Sequence, residues 1–166
     1  MTGPAPRPEP AEPTRVVVHG NTPIARAVLS LAVALGYRSE PFDGAVSPGD
    51  TPGPPGLEGA AAVVTATHGG PDEEAVLRAA LAAGVPYIGL VAKRARGDAV
   101  VAGLGVDGAA TRIHTPAGLD IGVRTPEEVA LAILAEMVAT RPRAPGQSRA
   151  ARGKHFCEHG KSSVPE

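Results

Sequence analysis

The chain has 166 residues, of which 43% are hydrophobic and 2% aromatic, and its formal net charge is −1. This length allows one domain with a core of Ala, Val, Leu and Ile, and the scarcity of aromatic rings argues against modules that bind nucleic acid by base stacking. The single Cys157 excludes an internal disulfide framework, and the sequence shows neither a signal segment nor an apolar run long enough to span a bilayer, so we expect a cytoplasmic protein.

The two ends of the chain differ in composition from the middle. Residues 1–13 hold five prolines and no hydrophobic pattern, which predicts a disordered leader. Residues 141–166 carry six basic and two acidic side chains, which predicts a basic, disordered tail. A contact of this tail with an acidic partner or with nucleic acid is left open. The folded domain is therefore expected to span residues 14–140.

Between these ends, the hydrophobic pattern alternates between strands and helices. The predicted strands cover residues 15–19, 37–42, 61–66, 87–91 and 111–114, and the predicted helices cover 24–35, 71–83, 94–103 and 127–140. Residues 45–59, rich in proline and glycine, are expected to form a long surface loop. The alternation predicts a three-layer Rossmann-like α/β domain with a mainly parallel five-stranded sheet. Strand order 2-1-3-4-5 is preferred, because it brings the loops after strands one and three together at the switch point where ligands bind.

The first strand-to-helix turn contains Gly20, Asn21 and Thr22, at the position where dinucleotide-binding folds place their phosphate loop. Gly20 matches the first glycine of the dinucleotide fingerprint, but Thr22 and Ala25 stand at the other two positions. Asp43 follows near the usual place of a ribose-binding carboxylate. A nucleotide-binding turn and a plain strand-to-helix turn both fit this pattern.

Polar side chains also follow the third and fourth strands. Thr67, His68 and Asp72 flank two glycines at the start of a helix, and His68 could donate to a phosphate or a pterin edge, shuttle a proton, or simply cap the sheet. Lys93 and Arg94 begin the helix after strand four, where they either reach an anionic ligand or face solvent.

The loop after the fifth strand, Gly118-Leu119-Asp120-Ile121-Gly122, places a carboxylate between two glycines. A helix start follows, since Thr125 can cap it and Glu128 can complete a capping box. We interpret Asp120 as a hydrogen-bond acceptor for a ligand amine or as an anchor for the loop. Gly118 and Gly122 either help to present this carboxylate or only turn the backbone. His114 ends the strand and either lines the same crevice or is a buried, hydrogen-bonded residue.

The tail contains His155, Cys157 and His159, which are ligand types for zinc or copper. A fourth ligand and a fold around the three are missing from the sequence pattern. We therefore predict no resident metal. If a metal does bind, these three residues are the candidate ligands.

Several of these motifs together resemble a known family. They are Thr67-His68 with its acidic helix start, Tyr87-Ile88-Gly89 ahead of a basic turn, and Pro116-Ala117-Gly118-Leu119-Asp120-Ile121-Gly122 followed by Thr125-Pro126-Glu127-Glu128 and Ala135-Glu136. This set is similar to the C-terminal Rossmann domain of the XdhC/CoxI family, over roughly residues 15–140.

The resemblance implies an accessory or maturation factor for a molybdenum hydroxylase, of the xanthine dehydrogenase or aerobic carbon monoxide dehydrogenase type. Such a factor holds the molybdopterin cofactor as cargo and assists its sulfuration and insertion. The positions that match family motifs, and would line the ligand crevice, are Thr67, His68, Asp72, Gly118, Asp120 and Gly122. Lys93 stands where the family usually has Ser, which changes the local anion chemistry.

The partners implied are the molybdenum hydroxylase apoenzyme and a cysteine desulfurase. Because the family's N-terminal domain with its cysteine motif is missing here, a separate CoxI-type N-terminal domain protein is a further expected partner. We expect neither a nucleic-acid nor a membrane partner, and a homodimer is left open.

Three functions compete at this point. A non-catalytic binding and delivery protein leads, because the sequence shows no evident pair of nucleophile and base. An NAD(P)-dependent oxidoreductase or nucleotide-binding module is the alternative, suggested by Gly20, Asp43 and the fold. The third is a protein-interaction module that uses the basic tail.

Overall fold

The computed structural model describes residues 14–42 and 56–141. The elements in these two ranges are, in chain order, β1 (Arg15–His19), α1 (Pro23–Ala34), β2 (Arg38–Phe42), β3 (Ala62–Thr65), α2 (Glu73–Ala82), β4 (Tyr87–Leu90), α3 (Arg94–Gly103), α4 (Ala109–Arg112), β5 (Ile113–His114) and α5 (Pro126–Ala139).

The strands form one parallel sheet in the order β2-β1-β3-β4-β5, which confirms the predicted order. Its register places His19 of β1 opposite Thr65 of β3, and Thr65 opposite Leu90 of β4. Because all strands run the same way, the turns that follow them emerge at the same edge of the sheet. This carboxyl edge is where the candidate residues of the sequence are concentrated.

Successive side chains of each strand enter opposite faces of the sheet, and both faces are buried. Val17, Val63 and Ile88 belong to a core cluster with residues of α2 and α3. Val16 and Val64 belong to a second cluster with residues of α1 and α5. The domain is thus a three-layer Rossmann-like α/β fold, in which short aliphatic strands are covered on both sides.

The helices that cover the second cluster begin one residue before the predicted starts, at Pro23 and Pro126. Thr22 caps α1, its Oγ1 accepting a hydrogen bond from the amide of Ala25 at 3.1 Å. At α5, Thr125 Oγ1 accepts from the Glu128 amide and Glu128 Oε2 accepts from the Thr125 amide, both at 3.2 Å. These reciprocal bonds confirm the capping box and fix the chain direction immediately after the glycine loop.

The predicted fifth strand was wrong over its first two residues. Residues 111 and 112 belong to α4, and β5 contains Ile113 and His114 alone. The helical turn forms because Gly108, at φ +75°, starts it and Thr111 Oγ1 donates to the Gly108 carbonyl oxygen at 2.9 Å. Arg112 then donates to the carbonyl oxygen of Leu81 at 3.0 Å, which ties α4 to the end of α2.

Several predictions concern residues outside the described ranges. These are the leader (residues 1–13), most of the predicted surface loop (residues 45–55) and nearly all of the basic tail (residues 142–166). The described end of the loop departs from the prediction, because Leu57 is 3% exposed and packs in the first core cluster. Within residues 14–42 and 56–141, no helix combines the length and the apolar character needed to cross a membrane.

Candidate functional site

The turns after β1 and β3 are in direct contact at the switch point of the sheet. Thr22 Oγ1 donates to the carbonyl oxygen of Ala66 at 2.9 Å, in addition to capping α1. Gly20 has φ +113°, and a Cβ at this position would collide with the same carbonyl oxygen and lie 3.0 Å from Thr67 Cγ2. The expected meeting of the two turns is therefore confirmed, and Gly20 and Thr22 both serve the packing between them.

The other residue of the first turn, Asn21, is exposed and holds an arginine. Arg26 Nη1 donates to both the carbonyl oxygen and Oδ1 of Asn21 at 3.0 Å. The guanidinium thus lies beside the start of α1, where it adds positive charge to the helix N-terminus. Asp43 lies outside the described residues, so the nucleotide hypothesis that depends on it stays a prediction.

The turn after β3 is tied to α3 through a buried carboxylate. Glu73 is 3% exposed, and it accepts hydrogen bonds from Thr67 Oγ1 at 2.6 Å and from Arg96 Nη2 at 2.5 Å. Arg96 also lies under Gly69, whose added Cβ would be 3.3 Å from Nη2. Thr67 is therefore held inside this network. A buried charge requires such partners, since an unpaired carboxylate would not be tolerated there.

The remaining candidates of this turn, His68 and Asp72, are not held by side-chain hydrogen bonds in the described part of the chain. His68 is exposed. Asp72 is half-buried at the N-cap of α2, where its side chain makes no capping hydrogen bond. Both side chains are thus available at the carboxyl edge, on either side of the exposed Gly69.

His19, the last residue of β1, lies beneath the turn between β3 and α2. His19 is 7% exposed and its Nδ1 has no hydrogen-bond partner within the described residues. Thr65, opposite it in register, is fully buried with an equally unpartnered Oγ1. Burial lowers the pKa of His19, and the carboxylates of Asp72 and Glu73 oppose that shift. The imidazole is consequently a neutral group below the β3–α2 turn.

A second carboxylate, Glu136 of α5, organises the other face of the sheet. Its Oε2 accepts from the Tyr87 hydroxyl at 2.7 Å and from the Gly118 amide at 2.8 Å, and Oε1 is 3.4 Å from His114 Nδ1. The rings of Tyr87 and His114 lie 4.8 Å apart. Burial, and then the hydrogen bond to Glu136, raise the pKa of Tyr87 well above its usual value. His114 is half-buried beside this carboxylate, and its side chain forms no hydrogen bond among the described residues. Its place in a ligand crevice stays a prediction.

The glycine loop is anchored where it begins, at Gly118 and Leu119, and is exposed from there to Gly122. Gly118 has φ +107° and an added Cβ would be 3.2 Å from Ala132 Cβ, so glycine allows the loop to lie directly on α5. Its neighbour Leu119 donates an amide hydrogen bond to the Ala132 carbonyl oxygen at 3.2 Å. Asp120 and Gly122 are exposed, and Asp120 makes no side-chain hydrogen bond within residues 14–42 and 56–141. The loop therefore exposes a carboxylate directly after its hydrogen-bonded start.

A cavity of about 660 Å³ lies between α3, α4 and the end of β5. Arg94, Asp98, Asp107 and Thr115 contribute polar groups to its lining. Gly97 allows this arrangement, because a Cβ there would collide with the Thr115 side chain. Arg94 is thus a cavity residue, whereas its neighbour Lys93 is exposed at the N-cap of α3.

Comparison with known protein families shows the family to which this chain belongs. Residues 16–137 match the family described as the XdhC Rossmann domain. The chain belongs to the XdhC family. This finding confirms the resemblance drawn from the motifs, and the match covers β1 from Val16 onward, the other four strands in full and most of α5.

Two proteins that are similar to parts of this chain are longer than the segments that match it. The uncharacterized protein YqeB of Escherichia coli (strain K12) is 35% identical over 66 residues, an alignment covering 37% of this chain and 12% of YqeB. A solved structure from Bacillus halodurans, described as a xanthine dehydrogenase, superimposes with a TM-score of 0.58 and 18% identity. That alignment covers 84% of this chain and 46% of the other, and it supports the fold. The chain spans less than half the length of either protein.

In this XdhC domain, the candidate residues divide into those held inside the fold and those available at its carboxyl edge. The first group contains Gly20, Thr22, Thr67 and Gly118, and His114 is half-buried beside Glu136. The second contains Asn21, His68, Asp72, Lys93, Arg94, Asp120 and Gly122. No group of three or more His, Cys, Asp or Glu side chains suited to a metal ion occurs among the described residues, and His155, Cys157 and His159 lie outside them.

Proposed function

We propose that this XdhC-family chain is an accessory protein for a molybdenum hydroxylase and binds a molybdopterin-type cofactor as cargo at the carboxyl edge of its sheet. The observation that carries the proposal is the glycine loop, which exposes Asp120 while Gly118 is bound to Glu136 beneath it. In parallel α/β sheets, ligands bind at this edge. Family membership supports the choice of cofactor.

The available side chains suit the chemistry of an anionic pterin. The Asp120 carboxylate can accept hydrogen bonds from pterin N–H groups, and His68 can donate to a ring carbonyl or a phosphate oxygen. Lys93 and Arg94 supply positive charge for the phosphate, and both are exposed. Because they project from the start of α3, the ligand also meets the positive end of that helix dipole.

We infer binding and delivery rather than catalysis. In the described part of the chain, no Ser or Thr hydroxyl is hydrogen-bonded to a histidine, so the inference does not draw on a Ser-His or Thr-His pair. The proposed recipients and helpers are the hydroxylase apoenzyme, a cysteine desulfurase and a separate CoxI-type N-terminal domain protein, which assist sulfuration and insertion. We place this assembly in the cytoplasm, which suits a chain with a single cysteine.

A binding assay tests the proposal. Molybdopterin released anaerobically from a molybdoenzyme is incubated with the full chain, the complex is isolated by gel filtration, and retained pterin is measured by its fluorescence after oxidation. Asp120→Ala should weaken retention about tenfold, because it removes one charge-assisted hydrogen bond. Glu58→Ala is the matched control, because Glu58 is an exposed carboxylate that precedes β3 at the opposite edge. Absence of retention by the unmodified chain would contradict the proposed function.

A further inference from the structure

The outer sides of α1 and α5 carry no charge beyond the first turn of each helix. The two helices pack side by side on one face of the sheet, and both begin at its carboxyl edge. In α1, residues 27–34 include no charged residue. In α5, the one charged residue among 129–139 is Glu136, whose carboxylate is bonded to Tyr87 and Gly118. Most of the length of both helices is therefore uncharged on the side that faces away from the sheet.

The helices on the other face of the sheet have the ordinary composition of a solvated surface. The exposed residues of α2 include Glu74 and Arg78, and those of α3 include Arg94 and Asp98. A surface helix normally has charged and polar side chains opposite its buried side, whereas a helix that is apolar all round is covered. The composition of α1 and α5 thus indicates a surface that another macromolecule covers.

Large aliphatic side chains are exposed along this surface. On α5, Leu131 is 50% exposed and Val138 is 37% exposed. Residues 127, 131 and 138 lie on one side of the helix, since spacings of four and seven residues return to the same side. A groove of about 750 Å³ separates this side from α1, and its lining includes Leu131, Ala27 and Leu31. The two helices thus form one continuous surface, which we call the α1/α5 face.

The two ends of the α1/α5 face carry opposite charges. Glu127 is exposed in the first turn of α5, and Arg141 is exposed just after its end. The Arg141 guanidinium lies over the ring of Tyr37, 5.5 Å from its centroid, and is thus beside the end of α1. Within residues 14–42 and 56–141, neither Glu127 nor Arg141 forms an ion pair. Arg26 and Glu128, which are further charges at the first end, are hydrogen-bonded within the chain.

We propose that the α1/α5 face binds the same face of a second copy of this chain, with the two α5 helices antiparallel across a two-fold axis. A two-fold interface is self-complementary, so each contact occurs twice. An axis close to Ala135, which is midway between Leu131 and Val138, brings each Leu131 against Val138 of the second copy. The same axis places Glu127 beside Arg141 of the second copy. One symmetry operation therefore covers the aliphatic side chains and pairs the charges at the ends.

The helix dipoles favour the antiparallel arrangement. A parallel two-fold arrangement would bring the N-terminal ends of all four helices together, and the positive ends of their dipoles would repel one another. The antiparallel arrangement places N-terminal ends beside C-terminal ends. It also leaves the carboxyl edges of the two sheets at opposite ends of the dimer, where both proposed cofactor sites stay open. Dimer formation through this face is therefore independent of cofactor binding.

The size of the face sets the expected affinity. The helices α1 and α5 contain 12 and 14 residues, so each is about 20 Å long, and two adjacent helices are about 20 Å wide. This corresponds to roughly 400 Å² of flat area on each copy and roughly 800 Å² in all, which is at the lower end for specific interfaces. We therefore expect a weak dimer, with a Kd of roughly 1–100 µM.

Sedimentation velocity of the full chain, at concentrations from about 2 to 200 µM, tests this association. Dimer formation within or below this range is expected. Leu131→Asp should weaken association at least about 100-fold, because it places a carboxylate against an aliphatic side chain twice in each dimer. Val106→Asp is the matched control, because Val106 is 39% exposed between α3 and α4, away from the α1/α5 face, and its replacement should leave the Kd unchanged.

Circular dichroism checks the fold of each variant. A chain that stays monomeric over the whole concentration range would overturn the inference, and the face would then belong to another partner. A dimer whose Kd is the same in Leu131→Asp as in the unmodified chain would also overturn it.

Exchange of the charged pair tests the antiparallel arrangement. Glu127→Arg and Arg141→Glu should each weaken the dimer about threefold to tenfold, because each variant brings like charges together twice. The double variant restores opposite charges in the reverse order, so its Kd should return to within about twofold of the original value. Unchanged Kd values in the single variants, or additive losses in the double variant, would overturn the inference.

Discussion

Removal of the Glu136 carboxylate should destabilise the domain and release the glycine loop. Glu136 bonds the hydroxyl of Tyr87, which is 1% exposed, and the amide of Gly118, where the loop begins. In Glu136→Ala, both donors lose their partner. Tyr87 is the more deeply buried of the two donor residues, so most of the effect should come from its hydroxyl.

The size of the effect follows from the two donors. A buried donor left without a partner is unfavourable by about 1–3 kcal/mol, and a partly solvated amide such as that of Gly118 contributes about 1 kcal/mol or less. The expected loss in the free energy of unfolding is therefore about 2–4 kcal/mol. For a chain of this length, that loss corresponds to a fall in Tm of about 5–15 °C.

Urea denaturation of the full chain, followed by far-ultraviolet circular dichroism, measures the loss. Glu127→Ala serves as control, because Glu127 is exposed in the first turn of the same helix and its removal should cost at most about 1 kcal/mol. A double-mutant cycle with Tyr87→Phe should give a coupling energy of about 1–2 kcal/mol. A loss below about 0.5 kcal/mol in Glu136→Ala, or additive effects in the cycle, would refute the role assigned to Glu136.

Three further outcomes are expected. Gly20→Ala should lower the free energy of unfolding by more than about 2 kcal/mol, because the new Cβ collides with the Ala66 carbonyl oxygen and the backbone is strained at positive φ. Gly36→Ala has the strain, at φ +78°, but free space around the Cβ, so it should lower the free energy of unfolding by about 1 kcal/mol. Equal losses for the two variants in urea denaturation would contradict this prediction. Arg96→Ala should be more destabilising than Glu73→Gln, since it alone leaves a buried charge, and the reverse order in the same assay would argue against the network. Because the pKa of His19 is lowered in the folded state, the unfolded chain takes up a proton on this imidazole at a higher pH than the folded chain does. The free energy of unfolding should therefore fall as the pH drops below about 6.5, and it should fall less in His19→Gln. Parallel pH profiles of the two proteins would contradict the buried neutral imidazole.

Local signals explain why much of the fold could be predicted from the sequence. The start of α5 is specified by Thr125, Pro126 and Glu128, which act within one helical turn, and the capping box forms as expected. The alternation of apolar strands with helices predicts a parallel sheet. Strand order 2-1-3-4-5 was preferred because it brings the turns after strands one and three together, and the sheet has that order. Residues 111 and 112 were misassigned because their helical turn depends on Gly108 and on a distant carbonyl, that of Leu81.

The location of the candidate site could be predicted from the sequence. Which of its residues are hydrogen-bonded inside the fold and which are exposed could not. Proximity of the turns after β1 and β3 follows from topology, and Asp120 stands out because glycines flank it. The pairing of Glu73 with Arg96 joins residues 23 apart, and that of Glu136 with Gly118 joins residues 18 apart. Such pairs depend on the side chains that meet after the layers pack, and no local pattern specifies them.

The most direct test of cofactor binding is native mass spectrometry of the full chain purified anaerobically from its own host, before and after incubation with molybdopterin. We predict an added mass equal to one molybdopterin-type cofactor per chain, which Asp120→Ala reduces and Glu58→Ala preserves. An added NAD or NADP mass in its place would contradict the account. So would the mass of the bare chain after incubation with molybdopterin.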